Sequence, residues 1–248
     1  MATRRILSSV AIIAIALAFV GLVASFAMGK SQESGVLVAT PMGTAVTSQG
    51  EMKQVTLSLN TYPDSQVPAN FNTDHSAHAD WISYGPSTKL QVPAHSLVTI
   101  TITNYDSGGS LNNTFFRNVM GVDGTAMLNG KPFKSVSPDQ VGHTFTLRPA
   151  PVNGHSELFV SVPLLAVPDD AMPDTGYTTT PNVITFSFIV GEPGEYIWNC
   201  EYPCGDGTYA KFGNAMSAER WMAGTLSVVC TAKSARWAPL VNSYADLM

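Results

Sequence analysis

The sequence predicts an all-β sandwich, on three observations. Short runs of apolar residues alternate with Thr or Ser, Pro and Gly punctuate the runs, and 248 residues, less the first thirty, suit one generous core and are short for two. One domain over residues 51–230 is therefore expected, with a tail at 231–248.

The N-terminus carries the first signal. Arg4 and Arg5 precede an uncharged run of 23 residues, Ile6 to Met28, followed by Gly29, Lys30 and the polar Ser31-Gln32-Glu33. A helix of roughly 20 apolar residues crosses a bilayer core. A cleaved secretory signal is the other reading, with Ser25-Phe26-Ala27 as a small-residue cleavage site, although its apolar region is usually about 7–15 residues. Residues 1–30 are thus a transmembrane anchor or a signal segment. In both cases the arginines keep the N-terminal end inside and place the domain on the extracytoplasmic side, anchored to the membrane or secreted. Residues 31–50, rich in Ser, Gly, Thr and Ala and without sustained periodicity, read as a linker.

The strands then follow in order. Val55–Leu59, Ser96–Thr103, His143–Leu147, Leu158–Val162, Val183–Val190, Glu195–Cys200 and Gly224–Val229 each carry the period-two pattern of a sheet with one buried face. Gly191-Glu192-Pro193-Gly194 is a turn signal between two of them. Two long connections, 105–142 with Phe115-Phe116 and Val119-Met120, and 163–182 with four prolines, have the length of functional loops. Ser217 is placed to cap a short helical turn over 217–222.

Charge excludes one partner class. Net charge is only −5, and the Lys and Arg residues form no basic stripe, so nucleic acid is not an expected partner. Nothing matches a hydrolytic triad, a phosphate-binding loop or a zincin helix, so the chain shows no sign of being an enzyme by itself.

Three pieces in order resemble the cupredoxin family. The first is Val92-Pro93-Ala94-His95 running on to Asn104-Tyr105-Asp106, similar to an early family strand that ends in N-x-D. The second is Gly142-His143-Thr144-Phe145, where blue-copper proteins place their first histidine ligand. The third runs from Gly191 through Glu195-Tyr196-Ile197-Trp198-Asn199-Cys200 to Met222-Ala223-Gly224-Thr225. The resemblance covers residues 85–230 and implies a Greek-key β-sandwich that binds copper and passes electrons. It also implies the ligands: His143, the Cys200 thiolate and an axial Met222. Thiolate and imidazole bind copper well, and a weak methionine lets the ion change redox state with little rearrangement.

The chain departs from the family between Cys200 and Met222, where no histidine occurs; Gly213-Asn214-Ala215 stands where Gly-His-Ala is usual. The segment also resembles the dinuclear copper loop of haem–copper oxidase subunit II through Cys200, Cys204 and Gly205, but the histidine and methionine places hold Thr208 and Lys211. Completing the ligand set therefore falls to Cys204, with Glu201, Asn214 and Met216 as weaker candidates. The first functional expectation is a membrane-anchored copper electron carrier of a respiratory chain, whose partner is a redox protein or respiratory complex. The alternatives are a copper-free accessory subunit, with Cys200 and Cys204 joined as a disulfide, and a copper-carrying module.

The remaining candidates have plainer readings. Cys230 stands about 25 Å from Met222 if the last strand runs away from the site, too far to pair with Cys200 or Cys204. His95 reads as a solvated turn residue and His155 as loop. His75 and His78, flanked by Asp74 and Asp80, have the spacing of a weak surface metal pair. Met120, Met172 and Met216 are gap-filling residues.

Overall fold

In the computed structural model, residues 35–63, 81–108, 113–150, 157–174, 176–205 and 214–230 are described. Thirteen strands are present among them: β1 (Leu37–Val38), β2 (Thr40–Thr47), β3 (Gly50–Tyr62), β4 (Ser83–Gly85), β5 (Lys89–Pro93), β6 (Ser96–Asn104), β7 (Ala126–Leu128), β8 (Lys131–Phe133), β9 (Val141–Pro149), β10 (Val160–Leu165), β11 (Asn182–Val190), β12 (Gly194–Asn199) and β13 (Ala223–Val229). All seven expected strands are found, within a few residues of their expected ends.

Two sheets form the sandwich. One has the order β1-β5-β13-β12-β9-β10; the other runs β2-β3-β6-β11-β7-β8, with β4 paired to β3. Alternation decides which face is inward. Along β11, Ile184, Phe186, Phe188 and Val190 are buried, and along β6 Val98, Ile100 and Ile102 join them. The parallel register of β3 on β6 sets Val55, Leu57 and Leu59 beside those three. On the outer face of this sheet the same strands pair hydroxyls, Thr99 with Ser187 at 2.9 Å and Thr101 with Thr185 at 3.1 Å. The facing sheet contributes Phe145, Leu147, Tyr196 and Trp198, and the ring of Phe145 stacks on Trp198 at 5.0 Å.

Two expectations are corrected. The linker over 31–50 contains two strands, Leu37–Val38 and Thr40–Thr47: β1 extends the first sheet, and β2 forms an edge hairpin with β3. Nearly every side chain of β2 is exposed, so an edge strand of this kind leaves no apolar alternation to read. The turn expected at 217–222 is instead a single 3₁₀ turn at Ala215–Ser217, where Ser217 is the last residue rather than the cap. Within the long connection 105–142, β7 and β8 form a hairpin whose turn is Asn129-Gly130, with φ of 49° and 75° at the two residues.

No helix among the described residues is long and apolar enough to cross a membrane. The run Ile6–Met28, the pair His75 and His78 with Asp74 and Asp80, His155, and the tail 231–248 lie outside the described residues.

Candidate metal centre

Three sequence-predicted residues meet at one end of the sandwich. One ligand atom each from His143, Cys200 and Cys204 lies within 4.8 Å of the others, and all three residues are buried. His143 enters near the start of β9, and Cys200 directly follows β12, whose inward alternation Tyr196-Trp198-Cys200 aims the thiol into the core. Cys204 follows four residues later in the same loop. Met222 directly precedes β13 and is fully buried; its carbonyl accepts the Cys200 N–H at 2.9 Å, so its backbone lies beside that of Cys200.

The two faces of the His143 ring are distinguished. Its Nε2 lies 2.7 Å from Asp106 Oδ2, whereas Nδ1 lies 3.8 Å from Cys200 Sγ. The carboxylate thereby orients the imidazole and leaves Nδ1 facing the thiols, the role that outer carboxylates take behind ligating histidines. Asp106 is itself held firmly: Gly108 N–H donates to its Oδ2 at 2.8 Å, and the Asn104 amide donates to its carbonyl at 2.9 Å. Asn104 also accepts from the Thr61 hydroxyl and donates to Leu165 O at 2.8 Å, which ties β3, β6 and β10 together beneath the site.

Cys200 Sγ accepts hydrogen bonds from the backbone N–H groups of Thr144 and Tyr202, both at 3.4 Å, and Tyr202 O lies 3.3 Å away. Burial pushes this thiol up, but hydrogen bonds from Cys204, His143 and Thr144 and the His143 charge outweigh it and hold Cys200 well below the usual thiol range. Cys204 moves the other way, raised by burial and by the neighbouring Cys200 charge. Cys200 is therefore the one of the two thiols that more readily loses its proton. For His143 burial lowers the pKa, yet the hydrogen bonds to Asp106 and Cys200 and their charges prevail and lift it from 6.5 to about 9. Tyr84, raised by burial and then by the two sulfurs, closes the core side; its hydroxyl donates to Thr144 O at 3.1 Å.

Of the weaker candidates, Glu201 is engaged elsewhere. The Glu201 carboxylate accepts from Arg148 at 2.9 Å and from Asn199, because the residue after Cys200 points to the opposite face of the strand line. Asn214 is exposed, and Met216 lies half-buried against the core within the 3₁₀ turn. His95 stands in its turn at φ 53° with an exposed side chain 3.4 Å from Glu192. Cys230 is exposed beyond the far end of β13, as the strand placement requires. Sequence reasoning missed Asp106 as a site residue, although it ends the N-x-D piece quoted above; Tyr84 and Tyr202 carried no signal.

The sandwich, with His143 near the start of one strand and Cys200 at the end of another, is the arrangement that the cupredoxin resemblance implies. No protein-family model matches the chain, and no curated protein matches it. Similar solved structures include auracyanin B, at 14% identity and a TM-score of 0.33, covering 75% of this chain and 96% of that one. Rusticyanin from Thiobacillus ferrooxidans is 15% identical with a TM-score of 0.28, over 71% of this chain and 82% of that one. A multicopper oxidase is 10% identical with a TM-score of 0.26, over 71% of this chain and 44% of that one. Overlaps this loose assign no function, which rests on the site's own geometry.

Proposed function

We propose that this chain is a copper-binding electron-transfer protein whose centre is built by His143, Cys200 and Cys204, with Met222 adjacent as a thioether ligand. The observation that carries the reading is the buried cluster itself, a cysteine sulfur facing an imidazole Nδ1 whose other nitrogen is tied to a carboxylate. The donor set fits copper: thiolates are soft ligands and imidazole suits copper as well, and the rigid sandwich holds them. Bound copper would supply one-electron redox chemistry. The protein's own part is to orient the imidazole through Asp106, to favour deprotonation of Cys200 through Cys204, His143 and the Thr144 N–H, and to exclude water from all three side chains. The run Ile6–Met28 supports placing the domain at the outer face of a membrane, where a respiratory redox protein is the natural partner.

A second reading follows from the closeness of the two sulfurs. Cys200 and Cys204 are near enough to be joined by oxidation, which would make the chain a copper-free accessory subunit.

Metal analysis with an optical spectrum of the Cu(II)-reconstituted protein separates the two. An intense thiolate charge-transfer band is expected, lost in Cys200→Ser and weakened in binding by His143→Ala, while Met222→Leu chiefly moves the reduction potential. No such band in oxidised or reduced preparations, with Cys200 mapped as bonded to Cys204, overturns the copper reading. Stoichiometric zinc in place of copper also overturns it.

A further inference from the structure

Three tyrosines gather at the same end of the sandwich as the metal centre. The rings of Tyr62 and Tyr105 are nearly parallel, with centroids 6.0 Å apart, and each lies 5.3 Å from Tyr177. The register that sets Thr61 beside Asn104 brings the ends of β3 and β6 together, so Tyr62 and Tyr105 leave their strands side by side. Tyr105 directly precedes Asp106, whose carboxylate holds His143. Tyr177 is 37% exposed. The cluster thus runs without a gap from the backbone of Asp106 to the surface.

The ligand-bearing residues offer no such access. His143, Cys200 and Met222 have no exposed surface, and Cys204 only 6%. A partner must reach the centre through another group, and tunnelling favours a path with few through-space jumps. From Nδ1 of His143 the route crosses the ring, one 2.7 Å hydrogen bond, the Asp106 side chain and one peptide unit to Tyr105.

The charge of the segment that carries Tyr177 selects the partner. The segment 163–182, which carries Tyr177, contains Asp169, Asp170 and Asp174, all exposed, and no Lys or Arg. Tyrosine is enriched at protein interfaces because it offers a large rigid contact at low entropic cost, and exposed acids beside it steer cations.

We propose that the Tyr62–Tyr105–Tyr177 cluster, with the exposed Asp169, Asp170 and Asp174 of the segment that carries Tyr177, is the docking surface at which a cationic one-electron redox partner exchanges electrons with the centre through Asp106 and His143. The partner loses the one electron that the centre gains, and no proton or atom passes between them. The electron path rests on the copper reading; the docking surface does not.

Two measurements test it. In the metal-free full chain, hexaamminechromium(III) should selectively broaden the NMR signals of Tyr105 and Tyr177, and the triple variant Asp169→Asn, Asp170→Asn, Asp174→Asn should remove the effect. Broadening centred elsewhere overturns the surface. In the copper-loaded chain, reduction by hexaammineruthenium(II) at low salt should slow about tenfold in the triple variant, and also about tenfold in Tyr177→Leu through the lost aromatic anchor. Tyr177→Phe should keep the wild-type rate, and the visible band should be unchanged in all of them. Wild-type rates in both the triple variant and Tyr177→Leu overturn the proposal. A chain that binds no copper yet shows the selective broadening supports the docking surface and defeats the copper reading alone.

Discussion

Nε2 of His143 and Oδ2 of Asp106 meet at 2.7 Å, with the histidine side chain fully buried and that of the aspartate 9% exposed. The pair sets which imidazole nitrogen faces the sulfurs. Replacing the carboxylate by an amide keeps the shape but removes the charge that fixes the ring, so Asp106→Asn should lower metal affinity by about 10–100-fold. Competition titration against a chelator measures this. Affinity equal to wild type would mean that His143 is not a ligand or that its orientation is set by other contacts.

The pH dependence of metal binding follows from the same pair. In the metal-free protein His143 holds its proton up to about pH 9, and a ligating imidazole must release the proton on the ligating nitrogen. Apparent copper affinity should therefore climb as pH rises towards about 9, and the raised Cys204 thiol extends the climb. For folding the sign is opposite. Because the folded pKa of His143 lies above its ordinary 6.5, its stabilisation is complete below that value and is lost as pH rises through about 9. Cys200, with its pKa lowered, contributes stability that is complete above the ordinary thiol value and is lost as pH falls through its folded value. NMR titration of the His143 ring, in wild type and in Asp106→Asn, checks the first statement: the midpoint should move down in the variant. A wild-type midpoint near 6.5 would contradict the arrangement.

Gly205 closes the cysteine loop against the core. Its φ is +70°, and an added Cβ would lie 2.7 Å from the Cβ of Ala215 and 2.8 Å from Cδ1 of Trp81. Trp81 in turn packs edge-on against Trp221 at 5.2 Å, so neither ring has room to give. Gly205→Ala should destabilise the protein by about 1–3 kcal/mol. It should also perturb any metal spectrum, since Cys204 is the preceding residue. Urea denaturation with an unchanged midpoint would refute the tight contact.

Removing residues 1–30 should leave a folded, strand-rich protein, because the described fold begins at Gly35 and β1 supplies only two residues to the first sheet. Circular dichroism reads the strand content, and membrane partitioning of the full chain against the truncated one reads the anchor. Equal partitioning would remove the membrane from the proposal.

The sequence by itself determined the sandwich and its seven principal strands, and it named His143, Cys200, Cys204 and Met222 as candidate ligands. Period-two alternation is a local property, legible wherever one face of a strand is buried and the other is not, as along β6 and β11. It failed at β2, where neither face is buried. Motif order likewise singled out His143 and Cys200. Only the tertiary structure decided which nitrogen of His143 faces the thiols, which cysteine loses its proton more readily, and that Glu201 turns to Arg148. Those outcomes depend on contacts between residues 37 to 57 positions apart, Asp106 with His143 and His143 with Cys200, made when separate strands meet at one end of the sandwich. Nothing in the spacing along the chain encodes such a meeting, because register and the pairing of the two sheets set it.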